Sequence, residues 1–211
     1  AMTALGAVLF TQDAAPRVSA AAGQVIVVTE TVSGGAGSHE AQAAIAAGKT
    51  VVLKTAAEVA AMSTADVAAF DALVLGDATC RGPGLPADIA VLTAAAGTWG
   101  AAITGNVVVD GTDPVFHNGQ GGEKLTNAVV AHAAGAAGKT GLYASLSCYY
   151  HAVPLFTPVP LLSGALGGSF TVRGVGCYNN AHIVAVHPAV AGITDADLSN
   201  WSCSVHEAFD T

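Results

Sequence analysis

Residues Gln24–Lys54 read QVIVVTETVSGGAGSHEAQAAIAAGKTVVLK, and this stretch sets the fold class. Gln24–Thr29 is an apolar, Val/Ile-rich run without polar alternation, the pattern of a strand covered on both faces. Ser38 then offers a side-chain oxygen to the first turn of a helix over His39–Ala47. Glu40 sits in that turn, where the helix dipole favours an anion, and Gly48 ends the helix. Thr50–Lys54 is a second strand. Strand, helix and strand within about 30 residues make a βαβ unit, and its right-handed crossover lays the two strands parallel with the helix on one face.

The same rhythm runs outward from this unit. Ser63 caps a short helix to Phe70 before the apolar strand Ala72–Gly76 (ALVLG). Pro86 and Asp88 open a helix over Ala87–Ile103, followed by the strand Asn106–Val109 (NVVV). A glycine-rich turn from Gly111 to Gly122 leads into a helix over Glu123–Ala137, ended by Gly138, and then a strand over Gly141–Ser147. Ala7–Phe10 (AVLF) is a further β-rich run upstream. Apolar strands alternating with helices predict a doubly wound, mostly parallel α/β sheet with helices on both faces. After Tyr149 the alternation stops, and prolines 154, 158 and 160 and glycines 164, 167 and 168 mark a loop-rich region. Two short strands, Ser169–Gly174 and His182–Val186, and a final segment Leu198–Phe209 are expected within it. The expected organisation is one domain over residues 1–211, a βαβ core to residue 150 with an extension over 151–211 packed on it.

Of the 211 residues, 52% are hydrophobic and 10% charged, which excludes a disordered chain. The net charge of −8, with Lys and Arg scattered singly, excludes a nucleic-acid partner, because phosphate neutralisation needs clustered cations. Mean hydropathy is +0.54, yet no apolar run reaches the roughly 18–20 residues that span a bilayer, so membrane insertion is not expected. Cys80, Cys148, Cys177 and Cys203 form no C-x-x-C pair and no zinc-type cluster, and their even number fits two disulfides in any of three connectivities. Disulfides and a Lys-poor surface rich in Thr, Ser and Asn point to a secreted or cell-surface protein. Ala1 before Met2, with no signal-peptide pattern, reads as a cloning residue on an excised domain or mature fragment. A weakly charged exterior suits contact with other protein or a polysaccharide surface, with self-association a further expectation.

Three segments carry a resemblance. Phe70–Asp77 (FDALVLGD), Asn106–Gly111 (NVVVDG), and His187–Ile193 (HPAVAGI) followed by Glu207 are, in order and spacing, similar to the class I glutamine amidotransferase-like superfamily, in its trehalose-utilisation-protein-like branch. The resemblance covers roughly residues 24 to 210 and implies a flavodoxin-like strand order. In active members it implies a Cys/His/Glu triad, its cysteine on a sharp strand-to-helix turn. The corresponding turn here, Asp110-Gly111-Thr112-Asp113-Pro114, holds no cysteine, and His206 and Glu207 are adjacent rather than spaced as His-x-Glu. The expected function is therefore a non-catalytic amidotransferase-like interaction or assembly module, with a small polar ligand at the C-terminal edge of the sheet.

In open α/β sheets that edge binds ligands, so Asp77, Thr112, Asp113 and His117 are the candidate ligand-binding residues, with Asn118 and Gln120 as further hydrogen-bonding side chains. The alternative is a hydrolase or amidase with a displaced nucleophile, in which Cys148 attacks, His206 or His151 takes its proton and Glu207 orients the imidazole. Against it stands Cys148 as half of a disulfide, with Tyr149, Tyr150 and His151 as a packed cap. No metal site is expected: there is no His-Glu-x-x-His, His182 and His187 diverge, and Asp77, Asp110, Asp113 and Asp195 lack a calcium-loop spacing. No phosphate loop is present and no cofactor is expected. Trp99 and Trp201 read as core residues on opposite sides of the sheet.

Overall fold

Short apolar strands with no polar face can be satisfied only between two helical layers, and the chain builds that arrangement. The structure, a computed structural model, describes residues 23–76, 87–151 and 153–211. The expected strand Ala7–Phe10 and the candidates Asp77 and Cys80 lie outside the described residues. The central strands are β1 (Gln24–Val28), β2 (Thr50–Lys54), β3 (Ala72–Leu75), β4 (Ile103–Asp110) and β5 (Thr140–Ser145). All pair in parallel, in the order β2-β1-β3-β5-β4. The helices are α1 (His39–Ala46), α2 (Ala56–Ala60), α3 (Thr64–Val67), α4 (Ala87–Ala94), α5 (Ala96–Gly100), α6 (Gly122–Ala133), α7 (Ser147–Tyr150) and α8 (Pro160–Leu166). An antiparallel pair, β6 (Thr171–Tyr178) and β7 (Val205–Asp210), forms a second sheet. The fold is thus α/β, doubly wound and flavodoxin-like.

Strand periodicity divides the core in two. Ile26, Val28, Leu73, Leu75, Leu142 and Ala144 point to one face, where they pack with Val59, Leu92, Trp99 and Leu161. Val25, Val27, Ala72, Val74 and Tyr143 point to the other, against Ala41, Val129, Val130 and Trp201. The two tryptophans are fully buried on opposite sides, as their positions predict. Local signals act where expected: Ser38 accepts from the Ala41 N–H, and Ser63 and Asp66 form a reciprocal capping box.

Several boundaries differ from the sequence reading. The helix expected over Ala87–Ile103 is two helices, because Ala95 leaves helical geometry (φ −96°, ψ 4°), and Ile103 already begins β4. A helix missed by that reading, α2, carries a full capping box between Thr55 and Glu58. The α6 helix ends at Ala133, four residues earlier than expected. His182–Val186 is irregular: β6 runs from Thr171 to Tyr178 and takes β7 as its partner.

The order β2-β1-β3-β5-β4 has a consequence for the site. From β3 the chain passes over one face to the edge strand β4, then returns over the opposite face through α6 to insert β5 between them. The loop leaving β4 therefore turns to one face and the loop leaving β5 to the other. Such a reversal opens a crevice at the carboxyl ends of the two strands, where open α/β sheets place ligands.

Candidate functional site

The residues after β4 and β5 fill that crevice with polar groups. Asp110, the last residue of β4, accepts from the Thr112 N–H at 2.8 Å and the Thr112 hydroxyl at 2.7 Å, forming an Asx-type turn. The Tyr143 hydroxyl approaches its other oxygen at 3.4 Å. Across the crevice the Leu146 N–H donates to the Asp110 carbonyl, tying the exit of β5 to that of β4. Ser147, the first residue of α7, follows directly.

The last strand crosses this edge. Both the His206 and Glu207 N–H groups donate to the Gly111 carbonyl, at 3.3 and 3.1 Å. Gly111 permits this approach, because a Cβ there would lie 2.1 Å from the Glu207 carbonyl oxygen. His206 and Glu207 are both buried. The disulfide Cys177–Cys203 clamps β6 to the segment entering β7, and closing a loop of 26 residues in the unfolded chain is worth about 3.5 kcal/mol.

His206 is the hub. Its Nδ1 lies 2.5 Å from the Ser147 hydroxyl, and its Nε2 lies 3.6 Å from Asp113 Oδ1. The same Asp113 oxygen is 3.5 Å from His117 Nε2. His117 Nδ1 donates to the Gln120 side-chain oxygen at 2.9 Å, while the Gln120 amide donates to the Asn200 carbonyl. The His117 ring stacks on Trp201, whose indole N–H donates to the Gln120 and Asp197 carbonyls. Asn118 stands on the same loop, its side-chain oxygen buried.

Burial dominates the electrostatics. It pushes the Asp113 carboxyl above its ordinary range, against the pull of His206, His117 and His151. Burial likewise raises Asp110 from 3.8 to about 6, opposed by its Thr112 and Tyr143 hydrogen bonds and reinforced by the negative charge of Asp113. Because the folded value lies above the ordinary one, this contribution to stability is complete below about pH 4 and is lost as pH rises through 6, roughly 3 kcal/mol in all. Asp110→Asn keeps an acceptor for Thr112 and removes the charge. It is expected to flatten the pH dependence of urea unfolding between about pH 4 and pH 7, and an unchanged slope would refute this role for Asp110.

A pocket of about 430 Å³ opens onto this network, lined by His151, Gly176, Cys177, Cys203 and His206. The two imidazole rings stand 6.2 Å apart across it, and the disulfide forms part of its wall.

Of the sequence candidates, Thr112, Asp113, His117 and His206 thus meet at one sheet edge, with Gln120 bracing the loop. Cys148 is buried and disulfide-bonded, so in this oxidised form it carries no thiol to ionise. Among the described residues no group of three or more His, Cys, Asp or Glu side chains is arranged to hold a metal ion. Three participants escaped the sequence reading: Ser147, placed in a strand, Asp110, weighed only as an oxygen ligand, and Tyr143. Their signal was position, since each lies at or near the carboxyl end of β4 or β5. Compared with protein-family models, curated proteins and solved structures, the chain finds no match in any of the three.

Proposed function

We propose that the chain is an amidotransferase-like module of a secreted or cell-surface protein that takes a small polar ligand at the C-terminal edge of its sheet. It works in interaction or assembly, without a cysteine nucleophile. The observation that carries this reading is the crevice between β4 and β5, which leads from buried Asp113 through His206 to a pocket of small-molecule size. The turn that the resemblance aligns with a nucleophile holds Thr112 bonded to Asp110. Its support for an extracellular setting is the disulfide. Support for a protein or polysaccharide partner is the exposure of Tyr178, Val184 and Val186.

A second reading, a hydrolase or amidase using Cys148, His206 and Glu207, draws on one observation: α7 places Cys148 next to Ser147, which is bonded to His206. It requires the Cys148 disulfide to be reduced first.

The leading reading predicts that a panel of small carboxylates and amides contains members that shift the imidazole NMR signals of His151 and His206 together. The signals of His39, far along the chain on α1, should stay fixed. A panel that moves neither pocket histidine would sink the proposal.

A further inference from the structure

We infer that Ser147 is the nucleophile, and His206 its base, of an acyl-transfer site that cleaves small carboxylic esters entering by the pocket. This inference rests on the reading of that pocket as a ligand site and adds a reaction to it.

Geometry supplies the pair. Ser147 follows β5 at the strand-to-helix turn over the sheet edge, and its hydroxyl is 2.5 Å from His206 Nδ1. A histidine whose Nδ1 accepts from that hydroxyl carries its own proton on Nε2, the atom that faces Asp113. A purely structural network would close its remaining hydrogen bonds. Here His206 Nε2 and Asp113 Oδ1 are both buried, make no hydrogen bond, and stand 3.6 Å apart. That spacing gives little to a neutral imidazole and much to a charged one, since opposite charges attract strongly where water is excluded. The site is therefore complementary to the state in which Ser147 has given up its proton. Asp113 acts as a positioning residue through His206.

Access limits the substrate. Ser147 is fully buried and lies one hydrogen bond behind the pocket wall that His206 forms. An acyl group must pass the imidazole edge to reach the hydroxyl, which selects short acyl chains. The Ser147 oxygen attacks the acyl carbon as its proton passes to His206 Nδ1. The ester C–O bond then breaks, and the alcohol leaves with that proton. Water attacks the acyl-serine, gives a proton to Nδ1, and the carboxylic acid departs as Ser147 regains its hydrogen.

The test uses the folded, disulfide-bonded chain. Treatment with a fluorophosphonate followed by peptide mass mapping is expected to find the label on Ser147. Hydrolysis of p-nitrophenyl acetate above the buffer rate is expected to fall at least about a hundredfold in Ser147→Ala. Asp113→Asn should slow the reaction at least about tenfold, through kcat with KM little changed, because the charged imidazole formed during the transfer loses the partner 3.6 Å from its Nε2. The other groups around that imidazole, Ser147 and His151 on the α7 side, Glu207 beside it on β7, and His117 through Asp113, are unchanged in that variant. A folded wild-type chain that takes no label, takes it on another residue, or keeps its hydrolysis in Ser147→Ala overturns the assignment, and the wild-type label decides even if a variant fails to fold. Ligand shifts at His151 and His206 without labelling leave the binding reading standing and remove this one; silence in both removes both.

Discussion

Trp201→Ala is expected to lower the stability of the fold by about 3–5 kcal/mol, read as a shift of the urea midpoint at unchanged slope. The side chain is fully buried within the core layer beneath α6, so its removal leaves a cavity that neighbouring helices close only in part. The indole N–H also satisfies the carbonyls of Gln120 and Asp197, which would be left without that donor. The backbone around it is costly to rearrange: Asn200 and Ser202, on either side, both hold left-handed geometry at φ 67° and 73°. The damage should reach the site, because His117 stacks on this ring and shares Asp113 with His206. Trp201→Phe, which keeps the ring face but not the N–H, is expected to lose only about 1–2 kcal/mol. Equal losses in the two variants would show that the cavity is not the main effect.

Gly111→Ala is expected to cost about 2–3 kcal/mol and to act on the site more selectively. A methyl group there would meet the Glu207 carbonyl oxygen at 2.1 Å, with the Glu207 carbonyl carbon at 3.0 Å, so β7 must back away. Retreat breaks the paired bonds from the His206 and Glu207 N–H groups to Gly111 and draws the imidazole off Ser147 and Asp113. Amide hydrogen exchange at residues 206 and 207 should speed up while β1 and β3 stay protected. Gly119→Ala on the same loop, where a Cβ meets nothing within 4 Å, serves as the control and should change stability by less than about 0.5 kcal/mol.

The inner strands β1, β3 and β5 were legible because they are buried on both faces and therefore rich in apolar residues, and the caps at Ser38 and Ser63 were legible because they are local chemistry. What failed was punctuation and partnership. Ala95 breaks the helix expected over Ala87–Ile103, while the nearest glycine, Gly97, lies inside the helix that follows. His182–Val186 has the residue types of a strand, but a ladder needs a partner, and β6 found one in β7 instead. The exchange of β4 and β5 at the sheet edge depends on tertiary pairing that no local pattern encodes. These errors fell on the site: extending β5 by two residues put Ser147 inside a strand, where its hydroxyl had no role to suggest. Asp113, His117 and His206 could be chosen by residue type and position, whereas their convergence rests on the crossing of β7 over Gly111.

That crossing also makes the site a reporter of completion. Ser147 and His206 are 59 residues apart, the first just after the last strand of the five-stranded sheet and the second in the two-stranded sheet, so the five-stranded core can form before the histidine arrives. Bringing distant segments together is entropically slow and comes after local structure has formed. A chain emerging from synthesis would thus display a folded but incompetent sheet edge, and acquire its imidazole only once β7 has docked on Gly111. Whatever the pocket does is thereby withheld until β7 has reached the sheet edge.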